Sequence, residues 1–437
     1  MHINVLGAGL AGCEAAYQAA KRGVKVRLYE MKPNKMTPAH KSTMLCELIC
    51  SNSLKAARID SAAGLLKEEM RRIDSLLMKC ADKCTVPAGG ALAVDRDEFS
   101  AMVTKEIKSD SLIELIECEV EEIPSDGITV VATGPLTSDV LAEKIIGLCG
   151  GSLHFFDAAA PIVTAESIDM NAAFAASRYD KGGDDAYINC PMNKEEYELF
   201  HHALVNAERA PRHDVDVQNP KVYEGCMPVE ILAQRGLDTL RFGPMKPVGL
   251  RDPRTGHRPW AVLQLRTENS EKTMYNLVGF QTNLRFPEQK RVFGMIPALK
   301  NAEYVRYGVM HRNTFLDSPR VLNSDFSLKN NPDIFFAGQI TGVEGYMESA
   351  SSGMMAGINA VRRFNSQQTI VLPKETMTGA LSHYIGDSTV NDFQPMGANM
   401  GILPPPEEHI RDKRARAAAY SDRALKKLEE LLSENLL

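Results

Sequence analysis

The run INVLGAGLAGCEAAYQAAKRGVKVRLYE, residues 3–30, constrains the fold of this chain more than any other stretch. Ile3 to Gly7 is a short β-rich run, after which Gly7, Gly9 and Gly12 stand in G-x-G-x-x-G spacing. Helix formers follow as far as Gly23, a C-terminal cap position, and VKVRLYE makes a second strand ending in Glu30. Each part has a mechanical reason. Gly7 permits a tight turn, Gly9 lets the main chain approach a pyrophosphate, and Gly12 lets helix and strand pack closely. With Ala8 in the loop, the helix start at Leu10 and Ala11 offers phosphates unpaired N–H groups and a positive dipole end. Glu30 is placed to accept hydrogen bonds from ribose hydroxyls. Glycine spacing alone is a weak signal, but an ordinary glycine-rich turn leaves the terminal acid unexplained.

Two later segments repeat the theme. GITVVATGPLTS has a buried-strand run, Ile128 to Val131, that ends in Ala132, Thr133 and Gly134. PDIFFAGQITGVEGYMESASSGMMAGINAVRR predicts a strand over 334–337, a glycine-rich loop opening at Gly338 and Gln339, and a helix from about Ser349. A simple nicotinamide fold needs no third glycine loop so far downstream. Flavin adenine dinucleotide (FAD), long enough to span the sheet, does. The fold class is therefore α/β: a Rossmann-type FAD-binding domain, residues 1–155 and 300–437, interrupted by an α+β insertion at 156–299. That insertion holds the only tryptophan, Trp260, in the strand-like RPWAVLQLR. The tail RDKRARAAAYSDRALKKLEELL has the spacing of a solvated surface helix.

A length of 437 residues fits two domains, and 44% hydrophobic with 24% charged residues is ordinary soluble composition. No apolar run approaches the ~20 residues of a membrane span, and the N-terminus reads as a strand rather than a signal peptide. A net charge of −6 allows RNA binding only through a local basic face. Nine cysteines without an export signal point to free thiols in a reducing, cytoplasmic setting.

The thiols have several readings. Cys46 and Cys50, like Cys80 and Cys84, are four residues apart and would share one side of a helix. Metal and dithiol redox sites usually use closer spacing, so no metal site is expected. Cys13, Cys80, Cys118, Cys149 and Cys190 read as inert core. Cys50 differs, because CSNS is too polar for an apolar core and suits a helix N-terminus, where thiol pKa falls. Cys226, in YEGCMPVE, sits at a bend. Packing and function both remain open for these two.

The segments NVLGAGLAGCEAA, ELICSNSLK, VPAGGALAVDRDEF, ATGPLTS, SRYDKG, YEGCMPVE, FGPMKPVGL, YGVMHRNTF and FFAGQITGVEGYMESASSGMMAGINA together cover most of the chain. In them the sequence resembles the folate- and FAD-dependent tRNA (uracil-54-C5)-methyltransferases and, more distantly, the larger GidA/MnmG flavoproteins. The resemblance implies methylation of a uridine in the tRNA T-arm. The one-carbon unit would come from 5,10-methylenetetrahydrofolate, and the electrons from reduced FAD, restored by NADH or NADPH. It also implies that Cys50 and Cys226 are the functional thiols, Cys226 as nucleophile and Cys50 as base or partner. Cys46, where the family pattern suggests a non-thiol, is incidental. His311, with Arg312 and Asn313, and Tyr346 are candidates to receive base or pterin. Arg241, Lys246, Arg251, Arg254 and Arg258, set against the single acid Asp252, form a candidate RNA patch. No obligatory protein partner is implied.

Three rivals differ in what they predict. A small-molecule or disulfide flavoprotein oxidoreductase leaves the basic stretch idle. GidA-like wobble-uridine modification calls for a further C-terminal helical region. A non-enzymatic tRNA-binding flavoprotein would survive loss of both thiols.

Overall fold

The computed structural model describes residues 2–37, 39–150, 153–158, 160–180, 187–210, 227–269, 271–391, 393–406 and 410–434, with backbone alone for 153–158, 180 and 310–314. Cys226 lies outside the described residues, as do the side chains of His311, Arg312 and Asn313.

The predicted first unit is present. Strand Ile3–Leu6 and strand Val26–Glu30 pair in parallel, Ile3 opposite Val26, with helix Leu10–Lys21 between them. Strand Ile128–Val131 joins the other edge of Ile3–Leu6, and strand Asn331–Phe336 follows it. The late strand thus starts three residues earlier than its sequence suggests. Strand Ile113–Glu117, with only its first residue buried, completes the parallel set. Ser327–Leu328 adds an antiparallel edge. The sheet is a Rossmann-type α/β sheet, as expected, and its order reverses at Ile3–Leu6 beside Ile128–Val131, where such sheets open a ligand crevice beyond their carboxyl ends.

Helix Tyr346–Phe364 begins three residues before the predicted Ser349 and is buried along most of its length. It crosses the first helix at very short range. A Cβ on Gly353 would stand 2.1 Å from the Ala11 carbonyl oxygen, and one on Gly357 2.6 Å from that of Ala15. Small residues four apart on both helices let the backbones touch. Both N-termini are thereby aimed at the crevice.

A second core, containing Val163, Cys190, Phe200, Phe280 and Phe293, packs on an antiparallel sheet. At its centre is strand Ala261–Thr267, buried throughout. Strands Leu153–Ala158 and Met310–Phe315 pair antiparallel, His311 opposite Asp157, where the chain enters and leaves this region. The tail helix Lys413–Ser433 is not wholly solvated: Ala424, Leu425 and Leu428 are buried, and Ser421 bonds the Ile59 carbonyl at 2.7 Å.

Buried carboxylates anchor helix starts. Glu69 accepts N–H groups of Met377 at 2.7 Å and Thr378 at 2.9 Å, opening helix Met377–Gly386. Burial raises its pKa from the ordinary 4.5 to about 7. The folded chain therefore holds this proton more tightly than the unfolded one. Stability from this group is complete below 4.5 and is lost as pH rises through 7. Thermal midpoints should fall between about pH 5 and about pH 8, and Glu69→Gln should lessen that fall, the buried Glu14 and Glu230 adding to it in the same direction. Gly353→Ala should lower stability by about 1–3 kcal/mol, read as a lower thermal midpoint, because a methyl group must part the two helices.

Candidate functional site

A cavity of about 400 Å³ opens at the carboxyl ends of the parallel strands, within the range of small-molecule sites. Gly7, Ala8, Gly9, Leu10, Ala11, Glu30, Thr133, Gly134, Gly338 and Gln339 all line it. Gly12 does not. Its missing Cβ would collide with the Gly7 carbonyl oxygen at 1.8 Å, so it serves the close packing of loop and helix. Gly7 has φ +93°, and a Cβ there would strike the Ala132 carbonyl oxygen at 2.7 Å. A Cβ on Gly9, by contrast, would meet nothing within 4 Å. That open space, at a helix N-terminus without a side-chain cap, is a cradle for a phosphate. Helix Tyr346–Phe364 likewise starts at an uncapped glycine, Gly345. These residues fit a dinucleotide as long as FAD.

Glu30 does more than was expected of it. Its two carboxylate oxygens accept the N–H groups of Ala8 at 2.9 Å and Lys32 at 3.0 Å, fixing the glycine loop to the second strand. A carboxylate has about four acceptor sites, so capacity for a ribose hydroxyl remains.

Cys50 lines the same cavity. It is not at a helix N-terminus: residues 46–50 form turn and irregular chain, so the expected helical thiol pair does not exist. The Tyr346 hydroxyl does the work a helix end was expected to do. It accepts the N–H groups of Cys50 at 2.8 Å and Ser51 at 3.2 Å, and lies 3.0 Å from the Cys50 sulfur. A phenol has two lone pairs and one proton. The two N–H groups occupy the lone pairs, so the proton points to sulfur. Burial, and then the Cys50 sulfur, push the Tyr346 hydroxyl well above its ordinary pKa, so it remains a donor at neutral pH. A donor aimed at sulfur favours the thiolate.

Charged groups that the sequence did not single out surround this pair. Lys55, with φ +65°, pairs at 2.6 Å with the buried Glu348. Arg96 and Arg306 lie within electrostatic reach of Cys50. Arg96 lies in VPAGGALAVDRDEF, one of the segments that carry the family resemblance, at the start of a helix capped by Asp95.

Other thiols divide. Cys13, Cys80, Cys149 and Cys190 are buried, as expected. Cys46 is buried too, and burial followed by its contact with Cys13 pushes its thiol well up. Cys118 departs from expectation: it stands just past strand Ile113–Glu117 and lines the cavity.

The basic stretch is only partly free. Arg241 stacks on Trp260, with 3.7 Å from guanidinium to ring centre, and pairs with Asp238 at 2.5 Å. Arg254 is held by Asp252 at 2.6 Å. Counting Asp252 alone missed Asp238, which lies just before the stretch. Lys246, Arg251 and Arg258 are exposed.

Comparison with known proteins agrees with this geometry. A family model described as glucose inhibited division protein A, GIDA, matches residues 2–368. A protein of Acetivibrio thermocellus named methylenetetrahydrofolate–tRNA-(uracil-5-)-methyltransferase TrmFO is 62% identical over 434 residues, 99% of each chain. The chain belongs to the TrmFO family, within the GidA group. Another TrmFO, from Desulfitobacterium hafniense, is 58% identical over 98% of each chain. Among solved structures, GidA of Aquifex aeolicus superposes with a TM-score of 0.71 at 16% identity, covering 98% of this chain and 73% of that one, a likeness of fold.

Gly9→Val should fold yet purify without flavin, since its side chain would fill space that the fold leaves open. Absorbance near 450 nm against the circular-dichroism spectrum separates these outcomes.

Proposed function

We propose that this chain transfers the one-carbon unit of 5,10-methylenetetrahydrofolate to C5 of uridine 54 in the tRNA T-loop, giving 5-methyluridine. The observation that supports this reading best is the Cys50 sulfur in the wall of the glycine-loop cavity, under a Tyr346 hydroxyl that can donate to it. The free state of the eight cysteines among the described residues suits a reducing cytoplasm.

Uracil C5 is a poor nucleophile. A thiolate adding to C6 moves electron density onto C5, which bonds to the methylene carbon as its carbon–nitrogen bonds break and tetrahydrofolate leaves. A base afterwards removes the C5 proton, and the thiolate leaves. Two thiols can divide these tasks, and we assign Cys226 as nucleophile and Cys50 as base or partner. Tyr346 would keep Cys50 ionised between turnovers. Bound FAD, once reduced by NADH or NADPH as the external reductant, would supply the hydride equivalent that converts methylene to methyl. The Gly7–Gly12 loop, Glu30, Thr133, Gly134, Gly338 and Gln339 would hold it.

The target base must leave its stack, at a cost of a few kcal/mol. We assign its reception, or that of the pterin, to the Tyr346 ring and to His311, Arg312 and Asn313 of the paired strands. We assign phosphate contacts to Lys246, Arg251 and Arg258 on the 156–299 insertion. Arg241 and Arg254 are held by their own neighbours, and their part would be to brace that surface.

Incubating the flavin-loaded chain anaerobically with unmodified tRNA, methylenetetrahydrofolate and NADPH should yield 5-methyluridine on nucleoside analysis. Cys50→Ala should lose activity by a factor on the order of 10³ or more, and Tyr346→Phe about tenfold, both with flavin retained. Flavin reduction without 5-methyluridine would favour a small-molecule oxidoreductase instead.

A further inference from the structure

The main chain on either side of Cys50 is gripped by charged side chains from two different cores. Arg96, at the start of helix Arg96–Ser109, donates Nη1 to the carbonyl oxygens of Leu48 at 2.5 Å and Ile49 at 3.2 Å. Its Nε pairs with the carboxylate of Glu268, which follows strand Ala261–Thr267. From that same strand Arg266 donates to Asn52 Oδ1 at 2.9 Å and Ser51 Oγ at 2.7 Å, and the Thr267 carbonyl accepts from Asn52 Nδ2 at 2.9 Å. Leu48 and Ile49 are therefore held from the nucleotide side by Arg96, Ser51 and Asn52 from the insertion side by Arg266 and Thr267, and Cys50 by Tyr346.

The Arg96–Glu268 pair is a poor source of stability. Both side chains are largely buried, at 14% and 2% exposed, so the cost of desolvation offsets their attraction. Moreover, among the described residues Arg96 Nη2 and Glu268 Oε1 are buried with no hydrogen-bond partner. Two well-packed apolar residues would hold the cores together at least as firmly. What apolar residues could not supply is a cation locked to the backbone just before Cys50.

We propose that Arg96 and Glu268 are a positioning pair that sets how readily Cys50 ionises, Arg96 favouring the thiolate and Glu268 moderating that effect from the insertion. The inference rests on Cys50 acting as a thiolate in the reaction proposed above. Also near Cys50 are the Tyr346 hydroxyl and Arg306 of strand Tyr304–Arg306, which Glu47 faces in turn, and Arg266 is bonded to the next residue.

The test is the rate of alkylation of Cys50 by iodoacetamide against pH, read by peptide mass spectrometry on the flavin-loaded full chain. No methyl transfer is needed, so the outcome is independent of whether tRNA is the substrate. Arg96→Met should move the profile to higher pH and slow the reaction near neutrality about tenfold. Glu268→Gln should move it to lower pH and speed the reaction several-fold, because it uncovers the Arg96 charge. Opposite shifts support the proposal, since a loop merely loosened by either change would shift the same way in both. Shifts of the same sign, or none, overturn it. Should Arg96→Met fail to retain flavin, Glu268→Gln decides alone: a downward shift supports the pair, and an upward or absent shift overturns it.

Discussion

The contact on which the rest of this structure depends is the crossing of helices Leu10–Lys21 and Tyr346–Phe364. Residues far apart in the chain meet there with no room for a methyl group, Gly353 on Ala11 and Gly357 on Ala15. Close approach brings two helix N-termini to one crevice, neither capped by its N-cap side chain, and their positive dipole ends favour an anionic ligand there. Gly9 opens the first of these ends to a ligand, and Gly345 leads directly into Tyr346, which reaches Cys50. The nucleotide cradle and the hydroxyl that faces the Cys50 sulfur thus hang from the same helix pair.

Around Cys50 the protein accepts an energetic cost. Glu348 beneath the exposed Lys55, the Arg96–Glu268 pair and Arg266 bonded to Asn52 all take charge out of water near one irregular loop. A loop without regular backbone hydrogen bonds needs its carbonyl and N–H groups satisfied by side chains. Here Arg96 takes two carbonyls and Tyr346 takes two N–H groups. Those same side chains set the electrostatic surroundings of the sulfur, so positioning and tuning are one set of bonds.

The nucleotide half was legible because its requirements are local. A tight turn at Gly7, a close approach at Gly12 and an acid at the end of the second strand each follow from a few consecutive residues, and the structure has all three. Strand Ile113–Glu117 was harder to read, since only its first residue is buried and its IELIE pattern carries two acids. The Cys50 environment was misread as a helix N-terminus because CSNS has the composition of one. The stabilising hydroxyl instead comes from position 346, nearly 300 residues away. The basic stretch was overcounted for a similar reason: Asp238 and Asp252 claim Arg241 and Arg254 through contacts that charge counting over a short window does not weigh.

By itself, the sequence determined the parallel nucleotide-binding unit, its late return through Gly338, and the pairing of an unusual polar thiol with a flavin-type fold, because backbone sterics and hydrophobic period act over neighbouring residues. Only the tertiary structure decided what the thiol faces. The donor to its sulfur, the cation behind its main chain and the carboxylate that moderates that cation come from three elements far apart in the chain. Electrostatic influence depends on distance in space, and folding alone sets that distance.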